Sequence, residues 1–253
     1  MNHDAMFLVN RRMAAALVLV VMAGCGRDGV VGPPERDMAQ VPTTVADPPL
    51  TATTAPATDT RSPQFAASVR PIDGAAAARI TASWRPGCPV ALGDLRLVMA
   101  THWGFDGQPR QGQLVVHTDH AEDAVSVFKA LFAARFPIQQ MRLIDEFGAD
   151  DDRSMAANNT SGFNCRPTTG SDRWSEHAYG RAIDINPVQN PFVTRSGDVL
   201  PPAGEAYTGR VASTTGLITA DGPVVKAFSA AGWRWGGSWS PGRDYQHFSV
   251  TGR

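Results

Sequence analysis

Apolar and polar positions alternate along 94–105 and again along 113–118, with the glycine-bounded turn 107–112 between them. A period of two with a turn predicts a pair of strands. The period then lengthens. Ala124, Phe128, Leu131 and Phe132 recur at helical spacing within 119–136, Asp119 and Glu122 give a capping-box pattern at its start, and Pro137 stops it. Residues 138–144 read as a further strand. From 148 to 173 polar and turn-forming residues prevail, which predicts a long loop of the kind that often carries function. A short strand at 182–186, a loop-rich stretch at 187–222, a helix at 223–231 ended by Gly232 and a terminal strand at 245–251 complete the pattern. No βαβ rhythm runs through these elements, so the fold class expected is α+β, a small antiparallel sheet with flanking helices.

The N-terminal quarter follows a different pattern. Arg11 and Arg12 precede an apolar run, 13–23, that is too short to span a bilayer but suits the core of a secretory signal. It ends in Ala23-Gly24-Cys25, which resembles a lipobox, although Met22 stands where leucine is usual. Residues 1–25 are therefore expected to be a lipoprotein-type signal peptide with Cys25 as the lipidation site, the other reading being an ordinary signal peptide with an incidental cysteine. Residues 26–64 contain no aromatic residue, and the stretch from Pro33 to Pro63 inclusive holds seven prolines and seven threonines. Such a composition cannot bury enough apolar surface to offset its ordering entropy, and it predicts an extended tether. The folded domain is expected at 65–253. The whole implies an exported protein, lipid-anchored at the outer face of the cytoplasmic membrane or in the cell envelope.

The chain has 253 residues with 23 basic and 24 acidic side chains, a net charge of -1. This balance gives no electrostatic reason for a nucleic-acid partner, and a monomer is expected. Export changes the meaning of the three cysteines. With Cys25 lipidated, Cys88 and Cys165 remain as a pair in an oxidising compartment and are expected to form a disulfide. Two buried thiols, or Cys165 as a metal ligand, are the other readings.

The candidate chemistry lies in the last third. His177 is followed after seven residues by Asp184, and Asp244 precedes His247 by three. Two imidazoles and a carboxylate, with one carboxylate to spare, are the inventory of a catalytic zinc site. Alternation in 182–186 puts Ile183 and Ile185 on one face and Asp184 on the other. In 245–250 it separates Phe248 and Val250 from His247. Each strand can thus bury apolar residues while turning a ligand to a cleft. Asp244 has the position for a general base. Arg166 is the candidate for bracing an oxyanion, with Arg173 and Arg181 also near. Glu176 reads as a solvated acid. His102, His117 and His120 read as core or surface residues rather than ligands. Trp174, Trp233, Trp235 and Trp239 surround the motifs and divide between cleft wall and core, at least two of them in the core.

The run Ser175, His177, Gly180, Ala182, Asp184, Ile185, the stretch Gly232-Trp233-Arg234-Trp235-Gly236-Gly237, and then Asp244, His247 and Phe248 resemble the M15 family of zinc D-Ala-D-Ala carboxypeptidases and L,D-endopeptidases, in its VanY-like, endolysin-like branch. The upstream segment 161–166 resembles the family's arginine-bearing segment. The resemblance implies one Zn2+ held by His177, Asp184 and His247, with Asp244 as base, Arg166 on the scissile carbonyl and Ser175 in a supporting hydrogen bond. It also implies the small fold shared with the hedgehog signalling domain, and peptidoglycan peptides as substrate. A second class of function, a catalytically weak, zinc-stabilised wall-binding module, has no need of Asp244 and Arg166.

Overall fold

The computed structural model describes residues 62–168 and 171–253, which lie in one compact unit, Thr58–Arg253. The expected signal peptide, Cys25 and all of the tether but Ser62, Pro63 and Gln64 lie outside the described residues.

In chain order the strands are β1 (Ala67–Pro71), β2 (Leu95–Trp103), β3 (Pro109–His117), β4 (Gln140–Met141), β5 (Asn159–Thr160), β6 (Ala182–Asp184), β7 (Phe192–Val193), β8 (Val199–Leu200), β9 (Arg234–Trp235), β10 (Arg243–Asp244) and β11 (His247–Ser249). The helices are α1 (Gly74–Ala77), α2 (Ala121–Ala133), α3 (Asp151–Ala156) and α4 (Pro223–Ala230). Three antiparallel sheets form, in the orders β1-β2-β3, β10-β7-β8 and β6-β11-β9, and β4 pairs with β5 in parallel. The class is α+β, as the sequence pattern implies, but the strands divide among several small sheets.

The alternation in β2 and β3 has a physical reason on both faces. Val98, Ala100, Leu114 and Val116 point to a core shared with Phe128 and Leu131 of α2, Ile183, Ile185, Phe228 and Phe248. Leu95, Leu97 and Val115 point the other way, to Ile80, Leu143, Phe163 and Cys165. A sheet covered on both sides stays in register, because a slip of one residue would exchange its two apolar sets. The larger core reaches the short sheet β6-β11-β9, where the Phe248 and Phe228 rings stack with centroids 4.0 Å apart. Burying such a ring contributes about 1.5–3 kcal/mol.

Four expectations need correction. α2 begins at Ala121, after a 3-10 turn over Thr118–His120, and the Asp119/Glu122 capping box is not made: the Asp119 amide donates to His117 Nδ1, and His120, at the N-cap, makes no capping bond with its side chain. The strand expected at 138–144 shrinks to β4, which ends at Met141, and a 3-10 turn over Ile144–Phe147 follows. The long loop of 148–173 contains α3, capped by the Asp150 carboxylate, and β5. The terminal strand of 245–251 is broken. Asp244 pairs with Phe192 in one sheet and His247 with Asp184 in another, so the chain changes sheets at Tyr245 and Gln246.

Candidate metal centre

The centre starts from a register. β11 runs antiparallel to β6 with His247 directly opposite Asp184 and Phe248 opposite Ile183. Directly opposed residues share a face, so Asp184 and His247 meet on one side while Ile183 and Phe248 enter the core on the other. Asp184 is also gripped from its second edge, exchanging backbone hydrogen bonds with Ser161 at 2.9 and 3.1 Å. His177 arrives on a 3-10 turn, Glu176–Tyr179, that ends at Gly180 with φ of 65°. A Cβ at Gly180 would lie 2.6 Å from the His117 amide nitrogen, which donates to the Gly180 carbonyl at 2.8 Å. Glycine thus lets this turn lie against the end of β3 and bring His177 to the paired strands.

His177, Asp184 and His247 are buried, and their ligand atoms all lie within 4.8 Å of one another. His177 Nε2 is 3.1 Å from Asp184 Oδ2, and His247 Nδ1 is 3.0 Å from Asp184 Oδ1. The two ring nitrogens are 3.3 Å apart. The opposite nitrogens settle the tautomers. His177 Nδ1–H donates to the Gly162 carbonyl at 2.7 Å, and His247 Nε2–H to the Arg253 carbonyl at 2.9 Å. Carbonyl oxygens only accept, so in the neutral rings His177 Nε2 and His247 Nδ1 present lone pairs to each other and to a carboxylate. That arrangement requires a cation or a shared proton between the three groups. Ligands about 2.0–2.1 Å from a tetrahedral metal are separated by about 3.3 Å, close to the spacings present. The donor set fits a metal ion, held by His177, Asp184 and His247.

The charge balance reads the same way. Burial alone would lift the Asp184 carboxyl, but the charges and hydrogen bonds of His177 and His247 outweigh it and hold it well below the ordinary carboxylate range. Burial alone would lower His247, yet the hydrogen bond and charge of Asp184, with smaller help from Asp244 and the Arg253 carbonyl, carry it up to about 9. With no metal bound, the same three groups favour a proton where a cation would sit.

Asp244, in the sheet β10-β7-β8, lines the same cleft. Its Oδ1 is buried and has no hydrogen-bond partner among the described residues. Burial pushes the carboxyl up to about 7; His247 and His177 pull it down, and Asp184 and Asp151 push it further up. The cleft encloses about 790 Å3, enough for a peptide-sized ligand, with Trp174 and Trp239 among its walls. Trp233 is core and Trp235 packs against it.

Arg166 lines the cleft as well, with its Nη2 2.6 Å from Asp151 Oδ2 and its Nε buried and unpartnered. Arg181 is engaged elsewhere, donating to Glu176 at 2.7 and 3.1 Å and lying 4.2 Å from the Tyr179 ring centroid. Glu176 is therefore a paired, mostly buried acid, a correction to the solvated one expected. Arg173 is exposed on the rim. Ser175 Oγ accepts from the His177 amide at 3.3 Å, capping the turn that carries His177 and touching no ligand atom. His102, His117 and His120 stand outside the cluster. Cys88 and Cys165 form the expected disulfide.

Three contributors escaped the sequence pattern. Asp151 carried no signal beyond an acidic run. The Gly162 carbonyl is available to His177 because glycine there lies against β3, where a Cβ would come within 2.4 Å of the Val115 oxygen. Ser249 fixes the Arg253 carbonyl, donating to it at 2.8 Å and accepting from the Arg253 amide at 3.0 Å.

Residues 169–250 match the family model described as D-alanyl-D-alanine carboxypeptidase. The matched span contains His177, Asp184, Asp244 and His247, so the D-alanyl-D-alanine carboxypeptidase likeness covers the metal-binding group and its neighbouring acid, whereas Arg166, Asp151 and the disulfide precede it. No curated protein and no solved structure matches the chain.

Proposed function

We propose that this chain is a zinc-dependent metallopeptidase of the VanY-like, endolysin-like type that hydrolyses stem-peptide bonds of peptidoglycan, as a D,D-carboxypeptidase or an endopeptidase. One observation carries the reading: two imidazole lone pairs and a carboxylate converge beside a partnerless, buried Asp244 oxygen in an open cleft. Bound there, zinc supplies a Lewis acid that acidifies water and polarises a carbonyl. The two backbone carbonyls that take the outer ring protons keep the ligand nitrogens aimed inward. Asp244, raised to about 7, accepts the proton of the attacking water and returns it to the leaving amine. Arg166 offers a fixed positive charge to the oxyanion. The family likeness and the signal, lipobox and tether patterns of residues 1–64 support peptidoglycan as substrate, and those patterns support a lipid-anchored, envelope-facing location.

The test is digestion of purified peptidoglycan followed by mass spectrometry of the released peptides. The wild type should change the peptide profile, a chelator should abolish the change, and zinc should restore it. Asp244→Asn should bind one zinc and lose about 10²–10⁴-fold in turnover. Peptidoglycan left unchanged by wild type and Asp244→Asn alike would favour a wall-binding module instead.

A further inference from the structure

Asp151 is a mostly buried carboxylate to which the mechanism above gives no task. It opens α3, a helix whose amide ends are already served by Asp150, so its side chain is not needed as a cap. Its Oδ2 lies 2.6 Å from Arg166 Nη2, with the two side chains 20% and 23% exposed, in the wall of the cleft that holds the metal-binding group. This is Arg166's one ion pair among the described residues. Among the described residues its Nη1 reaches only the Pro167 carbonyl at 3.3 Å, and its buried Nε has no partner. The backbone at Arg166 is held independently, by the disulfide at Cys165 and by the Ser175 amide donating to the Arg166 carbonyl at 3.1 Å. What the backbone cannot hold is the guanidinium, at the end of a long side chain with about 2 kcal/mol of rotamer entropy.

A buried ion pair adds little net stability, because desolvating two charges offsets their attraction, but removing one partner leaves the other charge uncompensated. The pair is thus poorly explained by stability and well explained by aim. We infer that Asp151 is a positioning residue that holds the Arg166 guanidinium in the wall of the cleft. This rests on the peptidase reading for its consequence, since Arg166 then serves the oxyanion, but the positioning can be read without any substrate.

The experiment uses the zinc-loaded chain in two arms. In the first, the Arg166 Nε–H cross-peak is followed by 15N NMR, assigned by its loss in Arg166→Lys. It should be sharp and slow to exchange in the wild type, and broadened or lost in Asp151→Asn. In the second, turnover is measured on isolated stem peptides. Asp151→Asn should lower kcat about tenfold to a hundredfold with KM within about twofold, should keep its zinc, and should cause no further loss in an Arg166→Ala background. A cross-peak unchanged in Asp151→Asn, or equal losses with and without Arg166, would overturn the inference. A cross-peak that is lost in a protein whose wild type cleaves no stem peptide leaves the positioning standing and removes the peptidase reading. If Asp151→Asn does not fold, Asp151→Glu carries the test: the charge stays but moves by a methylene, so the cross-peak should survive at a shifted frequency with reduced kcat. An unshifted cross-peak with wild-type turnover would then overturn it.

Discussion

At the scale of residues, the protons of the metal-free centre make its stability depend on pH with a definite sign. His247 rises from 6.5 to about 9 on folding, so its contribution is complete below about 6.5 and is lost as pH rises through 9. Asp244 rises from 3.8 to about 7, so the folded protein binds more protons than the unfolded chain between those values, and stability again falls as pH rises. Asp184 is displaced downward, and its contribution is lost only as pH falls below the ordinary carboxylate range. Between pH 5 and 9 the metal-free fold should therefore weaken steadily. A bound cation takes the place of the His247 proton, and affinity for it rises as that proton becomes easier to displace. The expected outcome is a gap in Tm between zinc-loaded and chelated protein that widens from pH 5 to pH 9, measured by calorimetry. A gap of constant width would count against the shared-proton account.

Between elements, the decisive fact is that the candidate ligand pair, Asp184 and His247, and Asp244 sit on different sheets. Asp184 and His247 were legible, because alternation in 182–186 and 245–250 separates ligand from core residues, and the structure makes them direct cross-strand partners. The place of Asp244 was not. The sequence puts Asp244 at the entry to a single terminal strand, 245–251, and only the distant pairing of β10 with β7 places it in a separate sheet. α3 was equally invisible, since among its six residues only Ser154 and Met155 are buried and no apolar period announces it. It follows that the loop-rich stretch after β6 governs Asp244. Arg210 stitches that stretch, donating to the Gln189 carbonyl at 2.7 Å and to Asn190 Oδ1 at 3.1 Å, with its guanidinium 4.0 Å from the Tyr245 ring centroid. Arg210→Ala should cost about 2–3 kcal/mol, the scale of charge-assisted hydrogen bonds. It should also lower turnover about tenfold while zinc stoichiometry stays at one, because β6 and β11 are untouched. Denaturant titration and metal analysis of the same preparation check both halves. Loss of zinc together with turnover would mean that the two sheets do not act separately.

Across the whole molecule, the disulfide lies within the chain that precedes the matched span. The family likeness spans 169–250 and takes in the metal-binding group, while Arg166 and Asp151 belong to the preceding chain. Cys165, next to Arg166, is buried in the smaller core with Phe163 and Leu143 and is bonded to Cys88 across a separation of 77 residues. Closing so long a loop stabilises the fold by about 4 kcal/mol on the chain-entropy model. The disulfide thus ties the segment after α1 to the strand of chain that carries the arginine, and leaves β6 and β11 to be held by their own pairing and by the larger core. A Cys88→Ser/Cys165→Ser double variant should lose about 4 kcal/mol in denaturant titration. At a temperature where it remains folded, it should keep one zinc but lose turnover, because the backbone at Arg166 is freed while His177, Asp184 and His247 stay together. If the double variant retains full turnover, the disulfide serves stability alone; if it releases zinc, the metal-binding group leans on the smaller core more than the register of β6 and β11 implies.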